Sequence, residues 1–381
     1  MLEMMTRGIY VHIPFCIKKC NYCDFVSFPS PDKETLLDYL QCLKKEIKLY
    51  SIKYYNKKFT SVYFGGGTPT ILDVSHLKEL LDIIKSNFNI ANSSEITVEA
   101  NPGTLEFKKV KELKDAGFNR ISIGVQSTSD KFLKEMGRVH TASDVKESLK
   151  FIRRAGFENV NVDLIYGLPA QTLSGWLHTL QEIVAEKPPH IAAYGLKIEK
   201  ETYWGRLFEE GNLLLPDEDE VYNMYVEAGN FLKKNGYVHY EISNWAKPGY
   251  ESKHNKVYWL TGEYLGIGLN AASYLDGTRF TNTESLKKYI QQIKMSNFPI
   301  RESYRLSKEE QMSEAMIMAL RLREGVRKDF FKKRFGCFPE DVYGKQIKKL
   351  VKLGLLKEDL HTLRLTEKGF PLANIAMVEF V

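Results

Sequence analysis

The chain has 381 residues, 54 Lys and Arg against 48 Asp and Glu, and a formal charge of +6. With 43% hydrophobic and 27% charged residues it has the make-up of a globular protein long enough for one large domain and a smaller appendage. No apolar run reaches the length of a membrane span, the start is too short and mixed for a secretory leader, and five cysteines are too few for a disulfide framework; a cytoplasmic location is expected.

Ile9 to Ile13 reads as a short apolar strand, and it runs into Cys16, Cys20 and Cys23, spaced C-x3-C-x2-C. Three thiolates can hold three corners of a 4Fe-4S cube. Because Asp24 and Phe25 follow in place of another thiol, the fourth iron is left open to an exogenous ligand. A zinc site completed by a distant His or Cys accepts similar spacing, as do three plain thiols. Cys42, beside a helical stripe of Leu36, Leu40, Leu43 and Ile47, reads as a structural thiol, and so does Cys337.

Val62 to Phe64 forms the next strand, ending at Gly65-Gly66-Gly67. A helix with Leu77, Leu80, Leu81 and Ile84 follows, then a strand Ile96 to Glu99 and a helix around Val110 and Leu113. The strand Ile121 to Val125, helical segments to Ala155, the strand Val160 to Ile165, a helix Leu173 to Val184 and the strand Ile191 to Leu196 complete the series. Six such units mean parallel strands with helices outside, in an open doubly wound sheet or part of a barrel. The chemistry-bearing residues stand at or near the strand ends, where ligands collect in parallel α/β architectures.

After about residue 200 the rhythm breaks. Pro216 and Asp217 open a helix over Val221 to Leu232, a strand lies around Tyr237 to Ile242, and Tyr264 to Gly268 reads as a strand or turn. From Ser307, helical stripes with Met312, Met316, Leu320, Phe331, Ile347 and Leu350 lead to a short strand at Leu363 to Thr366, a winged-helix-like pattern. Between Arg301 and Leu353 there are 14 Lys and Arg against 8 Asp and Glu. Such a basic segment fits nucleic acid, an acidic partner, a membrane surface or simply a solvated helical face.

Gly65-Gly66-Gly67-Thr68-Pro69 exposes backbone groups where no side chain blocks approach. It lacks the lysine of a P-loop and the spacing of a dinucleotide fingerprint. Beside the cysteine loop it gains a meaning, because an amino acid chelating the open iron needs backbone acceptors for its amine. Read by themselves, Arg138 is a surface arginine, whereas Glu99 and Asp163, which end or interrupt apolar strands, are site candidates.

These features together resemble the radical S-adenosylmethionine enzymes: C-x3-C-x2-C with Tyr22 before the last Cys, and a glycine segment. The variant Gly-Gly-Gly-Thr-Pro resembles the oxygen-independent coproporphyrinogen III oxidase-like group. So do Tyr10-Val-His-Ile-Pro-Phe-Cys, Glu99-Ala-Asn-Pro, Gly124-Val-Gln-Ser and Asp163-Leu-Ile-Tyr-Gly-Leu-Pro. The resemblance implies a partial (β/α)6 barrel over 1–200, an extension over 201–300 and a C-terminal α+β, winged-helix-like domain over 301–381. It implies a 4Fe-4S cluster on Cys16, Cys20 and Cys23. S-adenosylmethionine would be held by Gly66, Gly67, Thr68, Glu99, Gln126, Arg138 and Asp163, with Tyr10 and Ile165 beside it. An arginine suits the ligand's carboxylate, and carboxylates suit its ribose hydroxyls or amine.

Within that group, coproporphyrinogen III dehydrogenases carry a fourth Cys two residues after the third, whereas haem chaperones of the HemW type have Phe, as Phe25 is here. His254-Asn255-Lys256-Val257-Tyr258-Trp259 matches the chaperones' H-N-x-x-Y-W, implying haem held by His254, Tyr258 and Trp259. A histidine beside aromatics also serves as a packing residue, and His12 has that reading too. One departure is visible. Where relatives commonly read Gly-x-Gly-x-Gly-Ala-His, this chain has Asn270 and Ala272, so a histidine is missing. The expected function is a haem chaperone that uses the cluster and S-adenosylmethionine and passes haem to an acceptor protein, with an electron donor protein, contact of the basic segment with a membrane surface, and no nucleic acid. The rivals are radical oxidative decarboxylation of coproporphyrinogen III to protoporphyrinogen IX, and a zinc-stabilised binding module.

Overall fold

Six segments with buried apolar residues at alternate positions or in runs form the parallel strands of the protein, for which a computed structural model describes residues 6–381. They are β1 (Arg7–Ile13), β2 (Lys58–Gly66), β3 (Asn89–Ala100), β4 (Arg120–Gln126), β5 (Asn159–Tyr166) and β6 (His190–Gly195). Between them run α1 (Lys33–Tyr54), α2 (Val74–Asn87), α3 (Phe107–Asp115), α4 (Asp130–Glu135), α5 (Ala142–Arg154) and α6 (Leu173–Ala185). The helix starts follow local chemistry. Asp32 accepts the Thr35 N–H at 2.8 Å, and Thr141 with Asp144 closes a capping box.

Strand periodicity sorts these segments into two faces. Ile9, Val11, Ile13, Val62, Phe64, Ile96, Val98, Ile121, Ile123 and Val162 pack into the main core with Leu43, Leu80, Val110 and Ile152 of the helices. The alternate positions carry Tyr10, His12, Ser61, Tyr63, Glu95, Glu99, Arg120, Ser122, Asn161, Asp163 and His190. These polar side chains line the inner face of the curved sheet, so the site is written into every second residue of otherwise apolar strands.

The rest of the main unit comprises α7 (Tyr203–Glu209), α8 (Glu218–Lys234), β7 (Val238–Glu241), β8 (Asn244–Ala246), α9 (Lys253–Trp259), β9 (Glu263–Ile267), β10 (Ala272–Leu275), β11 (Thr278–Asn282), α10 (Leu286–Lys294) and β12 (Ile300–Arg305). The strand order is β12-β11-β10-β9-β1-β2-β3-β4-β5-β6-β8-β7. β9 pairs parallel with β1, β8 antiparallel with β6, and β10 to β12 form an antiparallel meander. The two ends do not pair with each other among the described residues, so the parallel strands form a partial (β/α)6 barrel. The Tyr264 segment is a strand, and the region from Ala272 to Arg305, in which no element was foreseen, forms three strands and a helix. Strands of four to six residues give too little periodicity to read.

A second core lies beyond. α11 (Lys308–Leu320), β13 (Val326–Arg327), α12 (Lys328–Phe335), α13 (Pro339–Lys352), β14 (Leu356–Glu358), β15 (Thr362–Leu365), α14 (Ala373–Met377) and the 3-10 turn Val378–Phe380 bury Met316, Leu320, Phe331, Ile347, Leu363 and Phe380 together. The small sheet has the antiparallel order β13-β15-β14. Cys337 packs at the edge of this core, and Cys42 is buried in the main one. Among the described residues no helix is long and apolar enough to cross a membrane.

Candidate functional site

The cysteine loop leaves the end of β1, and its neck is closed by Phe15–Cys16 pairing with Phe28–Pro29. Cys20 and Cys23 bracket a turn in which the Cys23 N–H donates to the Cys20 carbonyl at 3.2 Å. Asn21, inside that turn, fastens the loop just past α4 through its N–H to Met136 O at 2.9 Å and its side-chain amide to Glu135 O at 2.8 Å. The three thiols are free and partly exposed. Burial pushes the Cys16 thiol up and the Cys23 thiol up to about 11, so their thiolates call for a nearby cation such as iron. Among the described residues no three His, Cys, Asp or Glu side chains are grouped as ligands of a single ion. Each sulfur leaves a different part of the loop, and a cube with one cysteine per iron takes its ligands in that way.

The glycine segment is laid against the cysteine loop. Gly67 N–H donates to Ile13 O and Thr68 N–H to Phe15 O, both at 2.8 Å. A Cβ on Gly67 would stand 2.5 Å from the Phe15 carbonyl oxygen, so the two backbones approach this closely only with glycine there. Gly66, at φ 112°, donates its N–H to Glu99 at 3.1 Å. With these three amides engaged, the segment has carbonyl acceptors left to offer a ligand amine.

Two carboxylates face the same mouth. Glu99 also accepts from the Tyr63 hydroxyl at 2.7 Å. Burial and then nearby Asp163 raise its pKa to about 7, against the lowering by its hydrogen bonds. Asp163 accepts from Asn161 and Ser122, each at 2.9 Å, and burial raises its pKa. Tyr10 holds its hydroxyl 3.0 Å from His12 Nδ1, and His12 Nε2 is 3.3 Å from Val26 O, so His12 is a hydrogen-bonded core residue. Gln126 follows a bulge between β4 and β5 and has φ 65°, which re-aims the end of the strand. Ile165 packs with Leu133, Met136 and Trp204, and the Tyr22 ring lies tilted against Trp204, centroids 6.0 Å apart.

Arg138 is not a surface residue. Its Nη2 donates to Asn101 Oδ1 and Gly124 O, both at 2.6 Å, and Nη1 reaches Cys20 Sγ at 3.5 Å. Asn101 in turn donates to Thr68 Oγ1 at 2.8 Å, and Thr68 lies 3.8 Å from Cys16 Sγ. One fork thus ties β4 to the Asn101 turn and the cysteine loop. Asn101 and Tyr63 are site residues missed in the sequence. Asn101 stands inside the quoted Glu-Ala-Asn-Pro segment, and the signal for Tyr63 was its inward-facing parity on β2.

The hexapeptide occupies α9, across the N-terminal halves of β1 to β3. Glu95 of β3 accepts the N–H groups of Lys253 and His254 at 3.2 and 3.1 Å and lies 3.8 Å from buried Arg120, which places a carboxylate at the positive end of α9. His254 points into the barrel. Nδ1 is 2.9 Å from Ser61 Oγ and Nε2 is 2.9 Å from the Tyr258 hydroxyl, and burial holds its pKa down at about 3. The ring is therefore a neutral imidazole with both nitrogens occupied. Trp259 lies elsewhere, with Arg321 4.2 Å from its ring centre and its indole N–H buried without a partner among the described residues. Cys16, Cys20, Cys23, Gly66, Gly67, Thr68, Glu99, Gln126, Arg138, Asp163 and Ile165 thus gather towards the C-terminal strand ends, with Tyr10, midway along β1, and His254 and Tyr258 below them and Trp259 outside. At the departure noted above, Asn270 has φ 53°, a left-handed conformation that asparagine tolerates in place of glycine, and Ala272 is exposed at the start of β10.

The radical SAM superfamily matches residues 10–183, and the HemN C-terminal domain matches residues 306–372. The chain is 39% identical to the heme chaperone HemW of Lactococcus lactis over 98% of its length and 97% of that protein's. It is 37% identical to the heme chaperone HemW of Bacillus subtilis over 97% of each. Among solved structures, coproporphyrinogen III oxidase (HemN) from Escherichia coli, a radical SAM enzyme, superposes with a TM-score of 0.87 at 24% identity, over 98% of this chain and 90% of that one. That likeness speaks for the fold. Sequence identity running from end to end makes the narrower assignment: the chain belongs to the HemW heme-chaperone family of the radical SAM superfamily.

Proposed function

We propose that the protein binds haem, carries a 4Fe-4S cluster with S-adenosylmethionine, and hands haem to an acceptor protein. The observation that carries this reading is end-to-end identity of 37–39% to two proteins named heme chaperone, against 24% to the structurally similar oxidase. Phe25, exposed where a fourth cysteine would stand in the dehydrogenases, supports it.

Cys16, Cys20 and Cys23 would hold the cluster. Gly66 to Thr68, Glu99, Gln126, Arg138 and Asp163 would hold S-adenosylmethionine, with Tyr10 and Ile165 beside it. The donor set suits these groups: free thiols beside an arginine, a cradle that a Cβ would fill, and a buried Arg138 Nε–H with no partner among the described residues. In this reading the bound cluster and S-adenosylmethionine would regulate or drive haem transfer; electron transfer from the cluster to the sulfonium belongs to the dehydrogenase rival. Haem is proposed at the hexapeptide of α9. Iron ligation by His254 Nε2 would require the Tyr258 hydroxyl to give up its place. A haem acceptor, an electron donor protein and a reducing cytoplasm belong to the same reading. Exposed Lys332, Lys333, Lys348, Lys349 and Lys352 offer a surface for anionic lipid.

The test is a paired assay on one cluster-loaded preparation: haem binding by absorbance, and anaerobic turnover of coproporphyrinogen III with S-adenosylmethionine and reductant. Haem bound without turnover is the expected result. Protoporphyrinogen IX formed over many turnovers would refute it, and bound zinc without iron would leave the binding-module rival.

A further inference from the structure

The helix that carries the hexapeptide has two working faces. His254 and Tyr258 turn into the barrel, while Lys256 and Trp259 turn the other way and line a cavity of about 190 Å³ closed by α11 and α12. Its walls are mainly apolar, with Leu260, Val326, Phe330 and Phe331 among them. Among the described residues the charged groups on it are three cations, Lys256, Arg327 and Arg334, and one anion, Glu324. Arg327 is held by Asp329 at 2.9 Å. Arg334 donates to neutral oxygens, Thr261 O at 3.3 Å, Thr261 Oγ1 at 2.5 Å and Tyr274 OH at 3.5 Å. Lys256, half-buried, makes no ion pair among the described residues. Two cations without carboxylate partners among the described residues, beside aromatic walls, and a buried indole N–H at Trp259 with no acceptor among them, make a site that suits anionic oxygens on an apolar body.

We propose that this cavity between α9 and α12 seats the carboxylate-bearing edge of a tetrapyrrole, with Trp259, Phe330 and Phe331 as walls and Lys256 and Arg334 as partners of its two carboxylates. The inference rests on the haem-binding reading above and places the carboxylate edge of the macrocycle on the outer face of α9, away from His254, whose ring faces the barrel. The volume is below the roughly 300–1,000 Å³ of sites that enclose a whole drug-sized ligand, so the cavity takes an edge and leaves the rest of the ring free for transfer. The seat joins both units of the protein, since Arg334 and both Phe residues belong to the C-terminal one.

The probes are haem, metal-free protoporphyrin IX and its dimethyl ester, titrated into the full-length cluster-loaded protein. The acid should bind at least about tenfold more tightly than the ester. Lys256→Gln with Arg334→Gln should weaken the acid about tenfold per charge and leave the ester and S-adenosylmethionine binding unchanged; Arg334→Lys should recover part of the loss. Equal losses for acid and ester, or no loss at all, would overturn the seat while haem binding by the wild type keeps the chaperone reading. A wild type that binds neither haem nor protoporphyrin overturns both.

Discussion

The ring of Tyr63 lies stacked on the imidazole of His254, centroids 5.0 Å apart and planes 26° from parallel. Its hydroxyl, at the other end, donates to Glu99 at 2.7 Å. One tyrosine thus spans from the carboxylate at the proposed cofactor mouth to the motif histidine on the barrel floor. Tyr10, with its ring centroid 6.1 Å from that of Tyr63 and 6.4 Å from that of His254, completes an aromatic floor.

Tyr63→Phe keeps the stack and deletes the donor to Glu99. A hydrogen bond to a charged group contributes about 1.5–3 kcal/mol, so S-adenosylmethionine affinity should fall at least about tenfold at neutral pH. The Tyr63 bond lowers the Glu99 pKa, so the pH at which binding reaches half its maximum should move up. Calorimetric titration across pH 6–9 (about the range spanning the shifted group) checks this; an unmoved profile would remove Glu99 from the cofactor site.

Gly67→Ala and Gly65→Ala should differ. The Gly67 Cβ meets backbone of Phe15 at 2.5 Å, whereas the Gly65 Cβ meets side-chain atoms of Tyr63 and Glu99 at 2.8 and 3.0 Å. Gly67→Ala should cost about 1–3 kcal/mol of stability and displace the cysteine loop, reducing iron content. Gly65→Ala should retain iron and weaken cofactor binding. Metal analysis and chemical denaturation of both variants separate the two.

Arg138→Gln strips Asn101, Gly124 and Cys20 of a shared donor. A loss of about 2 kcal/mol of stability is expected, with a cluster that bleaches faster under chelator. Arg138→Lys keeps the charge but not the planar fork, and should recover little. Full recovery by lysine would show that charge alone matters there.

Glu46, fully buried in α1, accepts from Gly268 N–H at 2.8 Å, Asn282 at 2.7 Å and the Tyr289 hydroxyl at 2.5 Å. Burial raises its pKa to about 7, against those bonds. The folded state therefore binds a proton more tightly than the unfolded one. Its contribution is fully present below the unfolded pKa of about 4.5 and is lost as pH rises through about 7. Buried neutral histidines such as His12 and His254 act in the opposite sense, losing stability as pH falls below about 6.5. The difference in unfolding free energy between wild type and Glu46→Gln isolates the carboxyl: it should decline by about 3 kcal/mol between those limits, and a flat difference would contradict the shift.

The sequence by itself determined the strand and helix rhythm, the thiol spacing and the glycine segment. Spacing along one loop and periodicity along one strand are local properties, and they survive without tertiary contacts. It also carried Glu99 and Asp163, because an acid at the end or middle of an apolar strand breaks a pattern. Only the tertiary structure decided the role of Arg138, whose partners lie 14 to 118 positions away; a lone arginine after a short helix carries no local signal. The same holds for the hexapeptide. Six adjacent residues read as one motif, yet a helix turns its side chains to different sides, so His254 went to the barrel floor and Trp259 with Lys256 to a cavity whose other wall begins some sixty residues later at Ala315 and Ala319. Which face meets which partner is set by packing between distant segments.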